Sequence, residues 1–370
     1  MTQNFKIYRA LRPLSWLYGL IVNFRNKLYY HKKLKSRKFD FPIICIGNIT
    51  AGGTGKTPHT EYLIQLLSPQ YKVAVLSRGY KRKSKGFRIV EVDSKVEDVG
   101  DEPLQIKQKF PNTLVVVDKN RVAAIEKILS FEKSECPDVI LLDDGFQYLK
   151  LHPSFSIVLI NSNRPVFDDE LLPAGLLREP VEEIKKRSDL VVVTKCREDV
   201  DIFDYQTTYE RELDLNPNQT MFFTTFEYGN IKPVFSDVGN ADIDLIDLIK
   251  YHVFLVAGIA SPQPLIVKLT QKKINLYTQF FPDHHFFTEK DVEAIQKQFD
   301  SIIDCNKIIL TTEKDAMRFR SNPHLSEDMK KMMYYIPIEV KFVENEQKKV
   351  FDNKIIQHVA LWSKPLITCN

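Results

Sequence analysis

The stretch Gly52-Gly53-Thr54-Gly55-Lys56-Thr57 follows the apolar run 43–46 and has residues suited to holding the phosphates of a nucleotide. Glycines let backbone N–H groups converge on an anion, and a helix starting near Pro58 would point its positive end there. Lys56 would lie at the β- and γ-phosphates, and the Thr57 hydroxyl would bind Mg²⁺. The predicted nucleotide-binding residues are Thr50, Ala51, Gly52, Gly53, Thr54, Gly55, Lys56 and Thr57.

This loop departs from the usual P-loop pattern at one position. The pattern has a glycine five residues before Gly55, where this chain has Thr50. The alternative is a glycine-rich turn that binds nothing. Because a strand, a loop, Lys-Thr and a helix occur together, the sequence favours phosphate binding.

Two aspartates, Asp143 and Asp144, follow the apolar run 139–142. A carboxylate at the end of a buried strand can bind Mg²⁺ or its water shell, as in a Walker-B arrangement. Adjacent residues of a strand point to opposite sides, so one aspartate can serve the metal while the other bonds elsewhere. The sequence does not assign the two roles, and an acidic turn is the alternative.

Further candidates lie in two short motifs. Asp101, followed by Glu102-Pro103, could accept a proton from an attacking hydroxyl, although a helix cap is the alternative. His284 follows Asp283, and a carboxylate that orients a histidine suits acid–base chemistry. A surface turn is the alternative there, and no further ligand spacing supports zinc.

Charged residues elsewhere could complete a phosphate site. Arg178 could hold phosphate, and Glu179 could hold Mg²⁺ or water. The basic loop 81–85 could meet an anionic headgroup, although a solvated charge run is the alternative. Thr194-Lys195 lacks the acid that a guanine-reading motif has two residues later, since that position is Arg197, so GTP specificity is not supported.

Bulk composition excludes several classes of protein. A chain of 370 residues with 44% hydrophobic residues can bury a full core, and its length favours two domains. The five cysteines form no CxxC pair, which argues against a zinc module or a disulfide framework. Ten of the 52 basic residues lie in 1–39, which has no acid, so the rest carries 42 basic and 48 acidic residues. We therefore expect no general nucleic-acid surface.

The N-terminal segment 1–38 is predicted to contact a membrane. Its uncharged run 13–24 has basic flanks and is too short to cross a bilayer of roughly 30 Å as a helix. Apolar and aromatic residues with basic flanks are typical of a helix in the interface of an anionic membrane. The alternative is a first helix that packs on the protein's own core.

Strand and helix patterns alternate along the rest of the chain and predict an α/β fold. We expect strands at 42–47, 72–77, 113–118, 138–143, 155–160 and 189–194, and helices such as 58–67 and 120–131. The fold predicted is a P-loop NTPase-like parallel sheet with helices on both faces, a smaller C-terminal α/β domain, and an N-terminal interfacial membrane helix. The second unit has predicted strands at 252–257, 274–281 and 307–311 and a helix near 289–299.

Loss of apolar periodicity over 199–220 sets the predicted boundary between the two domains. The predicted domains are the basic membrane-associated helix 1–38, the P-loop nucleoside-triphosphate-binding core 39–220, and the smaller α/β domain 221–370 that closes over the acceptor cleft.

Taken together, the motifs resemble the tetraacyldisaccharide 4′-kinase family. They occur in the family's order and span nearly the whole chain. They are 47–58, Ser77-Arg78-Gly79-Tyr80, Gly100-Asp101-Glu102-Pro103, Asp143-Asp144-Gly145-Phe146-Gln147, Leu172-Pro173-Ala174-Gly175, Leu177-Arg178-Glu179-Pro180, Phe281-Pro282-Asp283-His284-His285 and Thr312-Glu313-Lys314-Asp315-Ala316.

This resemblance implies a kinase, peripheral or monotopic on the cytoplasmic face of a Gram-negative inner membrane. Its cofactors would be ATP and Mg²⁺, and its acceptor an acylated glucosamine disaccharide 1-phosphate in lipid A biosynthesis. Asp101 would be the base with His284 beside it, and Asp283 would orient His284. Arg121 and Arg178 would balance transition-state charge. Thr57, Asp143 or Asp144, Gln147 and Glu179 would form the metal site.

Three other functions remain open at this point. A P-loop ATPase or GTPase that works as a conformational switch would hydrolyse nucleotide without an acceptor. A membrane-bound scaffold would only bind nucleotide, and a soluble-sugar kinase would not need acyl chains. No obligate protein partner is evident from the sequence.

Overall fold

The structure is a computed structural model that describes residues 7–197, 200–235 and 240–363. Residues 1–6 of the predicted membrane-associated segment and residues 364–370 of the predicted C-terminal domain lie outside the described residues.

Helices and strands alternate along most of the described chain. The α-helices are α1 (Arg12–Tyr30), α2 (Lys56–Leu67), α3 (Val96–Val99), α4 (Asp101–Lys109), α5 (Arg121–Leu129), α6 (Glu182–Arg187), α7 (Ile202–Leu213), α8 (Gln263–Gln271), α9 (Glu289–Asp300), α10 (Glu313–Arg320), α11 (Glu327–Met332) and α12 (Asn345–Ser363). The strands are β1 (Arg37–Lys38), β2 (Ile43–Gly47), β3 (Val73–Ser77), β4 (Arg88–Ile89), β5 (Leu114–Val117), β6 (Val139–Asp143), β7 (Leu151–His152), β8 (Phe155–Asn161), β9 (Leu190–Thr194), β10 (Thr220–Tyr228), β11 (Lys232–Pro233), β12 (His252–Ala257), β13 (Asn275–Phe280), β14 (Lys307–Thr312), β15 (Met333–Ile336) and β16 (Ile338–Phe342).

A nine-stranded sheet forms the larger part of the fold, in the order β16-β10-β9-β8-β2-β6-β3-β5-β4. The strands from β10 to β5 pair in parallel, whereas β16 and β4 pair antiparallel at the two edges. The predicted strands before residue 200 correspond to β2, β3, β5, β6, β8 and β9. The α/β class and its parallel sheet are therefore confirmed.

Both faces of this sheet are covered by helices. Along β2, Ile44 packs in one hydrophobic cluster with Leu63 of α2, whereas Ile43 and Cys45 pack in another with Ile125 of α5. This division follows from the strand geometry, in which successive side chains point to opposite faces. Because both faces are buried, these strands are continuously apolar rather than alternating.

A second sheet of five strands has the order β11-β15-β14-β12-β13. The predicted strands 252–257, 274–281 and 307–311 correspond to β12, β13 and β14, and the helix predicted near 289–299 is α9. The sheet is parallel except for β11, which pairs antiparallel with β15.

The nine-stranded sheet continues past residue 220, where the sequence predicts a domain boundary. β10 starts at Thr220 and pairs with β9 on one side and with β16 on the other. The stretch 199–220 loses its apolar periodicity because α7 is mostly exposed and buries only Tyr209 and Leu213. The boundary at residue 220 therefore does not separate the two sheets.

Helix α1 has one buried side and one exposed apolar side. Ser15, Gly19, Val22 and Asn26 are buried at a spacing of three or four residues, which places them on one face. The opposite side exposes large apolar residues, including Leu14, Trp16, Leu17, Leu20, Ile21 and Phe24. Trp16 is 70% exposed. None of the described helices is both long and apolar enough to span a membrane.

A buried histidine joins α2 to the neighbouring strand β10. His59 Nδ1 lies 2.8 Å from the Gly55 carbonyl oxygen, and its Nε2 lies 3.2 Å from Thr224 Oγ1. Burial lowers the pKa of His59 to about 4, although the bond to Gly55 opposes the shift. The side chain is therefore neutral in the folded protein at neutral pH.

We expect acid to destabilise the fold through His59. Its folded-state pKa of about 4 lies below the ordinary 6.5, so between these values the unfolded chain binds a proton that the folded chain excludes. The unfolding free energy should fall as the pH decreases through this window, by roughly 3 kcal/mol at its acid end. Urea titrations at several pH values measure this slope. His59→Gln should flatten it, and an unchanged slope would contradict the assignment.

Candidate active site

The glycine-rich loop 48–55 connects β2 to α2, as the sequence predicts, and α2 begins at Lys56, two residues before Pro58. Gly52, Gly53 and Gly55 have φ values of 79°, 55° and 84°. A Cβ at Gly55 would lie 2.5 Å from Phe226 Cζ, so both the backbone angle and the space require glycine there.

Side-chain and backbone bonds hold the loop while leaving its donors free. Asn48 Nδ2 donates to Thr54 Oγ1 at 2.7 Å, and Thr194 Oγ1 donates to the Thr54 carbonyl at 3.0 Å. Ala51 N donates to the Leu176 carbonyl at 2.7 Å. Within the described residues, the N–H groups of 52–57 donate to no protein acceptor. Free donors at a helix N-terminus favour an anionic ligand.

Asp143 ends β6, Asp144 follows it in a turn, and the two side chains have different partners. Asp143 is 1% exposed and accepts hydrogen bonds from Thr60 Oγ1 at 3.5 Å and Ser77 Oγ at 3.3 Å. Burial raises the pKa of Asp143 to about 7, and the charges of Glu102 and Asp144 add to the effect. A cation bound nearby would lower this pKa and favour the ionised carboxylate.

Asp144 lies on the cationic side of the site. Its two oxygens are each 3.6 Å from a cation, Oδ1 from Lys56 Nζ and Oδ2 from Arg178 Nη1. Burial raises the pKa of Asp144, but the charges of Lys56 and Arg178, with Arg121, outweigh burial and hold it below its usual range. The Asp144 carboxylate is therefore ionised.

The residues around Asp144 fit a magnesium ion that also uses phosphate oxygens. Asp144 Oδ1 is buried and accepts no hydrogen bond from the described residues. No group of three or more His, Cys, Asp or Glu side chains that could hold a metal occurs in the described chain. Mg²⁺ binds through one or two carboxylates together with water and substrate phosphates, so the small protein donor set matches its chemistry.

Two predicted metal ligands have other partners. Gln147 Nε2 donates to the Asn48 carbonyl, so this side chain holds the start of the glycine-rich loop. Glu179 is fully buried and forms ion pairs with Arg25 at 2.5 Å and with Arg187. The Glu179 carboxylate therefore faces α1 and α6, where it pairs with two guanidinium groups, and not the glycine-rich loop.

Asp101 and His284 form a hydrogen-bonded pair. Asp101 is the first residue of α4 and is 5% exposed, and His284 follows β13 in the second sheet. His284 Nδ1 lies 2.9 Å from Asp101 Oδ2. Arg318 of α10 also donates to Asp101 Oδ2, through Nε at 3.2 Å and through Nη2. The predicted pair is thus brought together from segments 183 residues apart.

Electrostatics keep Asp101 ionised. Burial alone would raise the pKa of Asp101, but the hydrogen bond from His284 and the charges of Lys314 and Arg318 hold it far below its usual range.

His284 has φ 57°, a left-handed conformation that is uncommon outside glycine. Such a conformation is kept where surrounding contacts require it.

Asp283 lies farther from His284 than the sequence predicts. Its Oδ2 is 3.8 Å from His284 Nε2, which is beyond a hydrogen bond. Lys314 Nζ occupies this side of the ring instead, 3.1 Å from His284 Nε2 and 3.6 Å from Asp283 Oδ1. Asp101, not Asp283, therefore makes the bond that orients His284.

Lys314 and Arg318 are site residues that the sequence did not single out. Lys314 belongs to the family-like motif 312–316, which was the available signal, whereas Arg318 lies outside it. Thr312 Oγ1 accepts from Asp315 N at 3.1 Å and caps α10, which fixes the helix that presents both cations.

Arg121 adds a buried positive charge behind Asp144. It begins α5, whose N-cap is Asn120, and its Nη2 donates to the Asp144 carbonyl at 3.4 Å. The guanidinium carbon lies 5.1 Å from the ring centre of Tyr148, and Nε has no hydrogen-bond partner within the described residues. Burial lowers the pKa of Arg121 from a very high value, so it stays charged.

The two parts of the site meet at one cavity. Thr57, next to Lys56, and Lys314, whose Nζ lies 3.1 Å from His284 Nε2, both line this cavity. The charge of Glu102, next to Asp101, also contributes to the raised pKa of Asp143. The free loop donors, Lys56 and Asp144 suit a phosphorylated ligand, and Asp101 with His284 suits proton transfer. The arrangement can therefore support phosphoryl transfer to a hydroxyl.

Comparisons with known proteins agree with this chemistry. A family model described as tetraacyldisaccharide-1-P 4'-kinase, LpxK, matches residues 7–359. The tetraacyldisaccharide 4'-kinase of Phocaeicola vulgatus is 45% identical over 355 residues, which cover 96% of this chain and 96% of the relative. That of Bacteroides thetaiotaomicron is 44% identical over 367 residues and covers 97% and 95%.

A solved structure is also similar. It is LpxK from Aquifex aeolicus in complex with ATP, with 31% identity and a TM-score of 0.71, and the match covers 95% of this chain and 99% of that one. Because the family match spans most of the sequence and the relatives are matched over nearly their whole length, the chain belongs to the tetraacyldisaccharide-1-P 4'-kinase family.

Proposed function

We propose that this chain is a kinase that transfers the γ-phosphoryl group of ATP to the 4′-hydroxyl of a tetraacyldisaccharide 1-phosphate in lipid A biosynthesis. The family assignment supports the activity, and the ATP complex of the similar structure supports the nucleotide. The observation that carries the proposal is the cavity lined by Thr57, at the end of the glycine-rich loop, and by Lys314, which contacts His284 of the Asp101–His284 pair.

The loop 50–57 is proposed to hold the ATP phosphates. Its free N–H donors would contact phosphate oxygens, and Lys56 would add a point charge. Thr57 with Asp143 or Asp144 would hold Mg²⁺, which supplies charge neutralisation on the β- and γ-phosphates. Gln147 would act on this site through Asn48, since that is its hydrogen-bond partner.

Asp101 and His284 are proposed to take the proton of the acceptor hydroxyl as a unit. Among the described residues, Asp101 Oδ1 accepts only from the Glu102 N–H at 2.9 Å, whereas Oδ2 is shared by His284 and Arg318. The depressed pKa of Asp101 keeps its carboxylate ionised but makes it a weak base by itself, so the proton would have to be taken by Asp101 and His284 together. His284 would raise its effectiveness by sharing the charge that develops.

Arg178 and Arg121 are proposed to balance the charge of the transferring group. Arg178 Nη1 lies 3.6 Å from Asp144 Oδ2 and is 31% exposed, so it can reach a ligand. Arg121 is buried and would act from behind Asp144. In phosphoryl transfer such preorganised positive charges stabilise the transition state.

Helix α1 is proposed to lie at the cytoplasmic face of the inner membrane, as a peripheral or monotopic anchor. Its exposed apolar side and the basic residues of 1–38 suit the interface of an anionic bilayer. The basic loop 81–85 adjoins the acceptor side, since Lys81 Nζ lies 3.5 Å from the His284 carbonyl, and could meet an anionic headgroup.

A P-loop ATPase or GTPase switch explains the observations less well. Such a switch would use the glycine-rich loop and Asp143–Asp144, but it would not explain the buried Asp101–His284 pair. The family match also supports the kinase. The chain is proposed to work in three parts, which are helix 1–38, a kinase core 39–220 that β10 and β16 complete, and a closing domain within 221–370.

Label transfer tests the proposed reaction. With γ-labelled ATP, Mg²⁺ and detergent-dispersed tetraacyldisaccharide 1-phosphate, label should enter the organic phase after extraction. Lys56→Ala should abolish this transfer because it removes the phosphate-binding charge. Label released only as free phosphate, at a rate that lipid does not change, would support the switch ATPase instead.

Loss of either member of the proton-accepting pair should slow the chemical step. We expect Asp101→Ala and His284→Ala each to lower kcat by about 10²–10⁴-fold, since a positioned base contributes that much. The double variant should lose less than the product, because the two act as a unit. His285→Ala is the matched control, since His285 Nε2 bonds Asp291 at 2.9 Å instead. Multiplicative losses in the double variant would count against the pair.

Polar substitutions on the exposed side of α1 should weaken membrane binding. We expect Trp16→Ser with Phe24→Ser to lower partitioning onto anionic vesicles by at least about tenfold, because two large apolar side chains no longer enter the interface. Ile303→Ser is the control, since Ile303 is fully exposed elsewhere in the chain. Co-sedimentation measures the effect, and unchanged binding of the double variant would refute the anchoring role.

A further inference from the structure

Helix α1 contacts the segment 170–179 at several points along its length. Arg12 Nε donates to Glu170 at 2.9 Å, and Ser15 Oγ accepts from the Ala174 N–H at 2.9 Å. Further along the helix, Tyr18 Oη donates to the Arg178 carbonyl at 2.9 Å. An anchor that only attached the protein to a bilayer would not need these polar contacts.

The segment that α1 contacts is also bonded to the glycine-rich loop. Arg178 N donates to the Ile49 carbonyl at 2.7 Å, and Ala51 N donates to the Leu176 carbonyl at 2.7 Å. The backbone of Arg178 is therefore held on one side by the loop and on the other by the Tyr18 hydroxyl. Its side chain extends from this fixed backbone to Asp144 Oδ2, 3.6 Å away.

A second connection runs from α1 to the turn after β6. Arg25 pairs with Glu179, which also pairs with Arg187. Arg187 Nη1 donates to the Phe146 carbonyl at 2.7 Å, two residues after Asp144. Because Glu179 is fully buried, both of its cations are needed to satisfy its charge.

From these contacts we propose that Tyr18 is a positioning residue for phosphoryl transfer, acting through the backbone of Arg178. In this arrangement the exposed apolar side of α1 faces away from the rest of the protein. The other side determines where the Arg178 guanidinium lies, so α1 is also part of the site. Arg25 supports the same segment through Glu179. The inference rests on the proposed role of Arg178 in balancing charge.

Tyr18→Phe tests this inference because it removes one hydroxyl and leaves the exposed side of α1 intact. We expect kcat to fall by about fivefold, the effect typical of losing one hydrogen bond to a buried carbonyl, with the KM for the acceptor unchanged. Vesicle binding should equal that of the parent. Tyr29→Phe is the matched control on α1, since the Tyr29 hydroxyl makes no hydrogen bond within the described residues.

A double-mutant cycle separates positioning from a general structural effect. In an Arg178→Ala background, Tyr18→Phe should have no further effect on kcat, because the side chain that it positions is gone. An equal loss in both backgrounds, or a Tyr18→Phe variant that matches Tyr29→Phe, would overturn the inference while leaving the role of Arg178 intact. Full activity of Arg178→Ala would overturn both that role and the inference.

Discussion

A buried carboxylate must be paired, and the site of this protein depends on how Asp101 meets that requirement. Asp101 begins a helix that packs on the larger sheet, yet the two residues that pair with its Oδ2, His284 and Arg318, come from segments attached to the smaller sheet. Separation of these parts would leave a charge in a poorly solvated place. The Asp101–His284 pair therefore exists only when both sheets are assembled against each other.

The same constraint acts at the other end of helix α4. Lys109 Nζ lies 2.7 Å from Glu61 Oε2 and 3.3 Å from Glu313 Oε1, and all three groups are largely buried. Burial raises the pKa of Glu61 to about 7, and the charge of Glu313 adds to that shift. Lys109 thus joins α2, which starts with Lys56, to α10 and to the helix that starts with Asp101. Paired charges at the two ends of α4, Asp101 and Lys109, thus orient the glycine-rich loop relative to the Asp101–His284 pair.

The ion pairs of Glu179 give it a different role from the one that its motif predicts. Its place next to Arg178 made it a plausible metal ligand, but Arg25 and Arg187 neutralise it in a fully buried position. It serves instead to connect α1 to the turn that carries Asp144. The proposed metal site therefore has few protein ligands, which fits a cation that shares its coordination with phosphate.

Much of the fold could be predicted from local patterns, because apolar runs and glycine turns act over a few residues. The runs 43–46 and 139–142, the loop before Lys56, and the placement of Asp143 and Asp144 at a strand end were all determined in this way. The ordered motifs likewise identified the family. These features depend on backbone angles and on side-chain periodicity, both of which can be predicted from neighbouring residues in the sequence.

Tertiary structure decided which groups face each other. Contacts between segments about 200 residues apart decide that Asp101, and not Asp283, orients His284. Contacts of the same kind bring Arg318 to the site. The extension of the larger sheet by β10 and β16 also arose from pairing between distant segments. The residues next to a buried charged group in the sequence do not indicate these partners, because its charge is satisfied by whichever side chains the assembled sheets bring within reach.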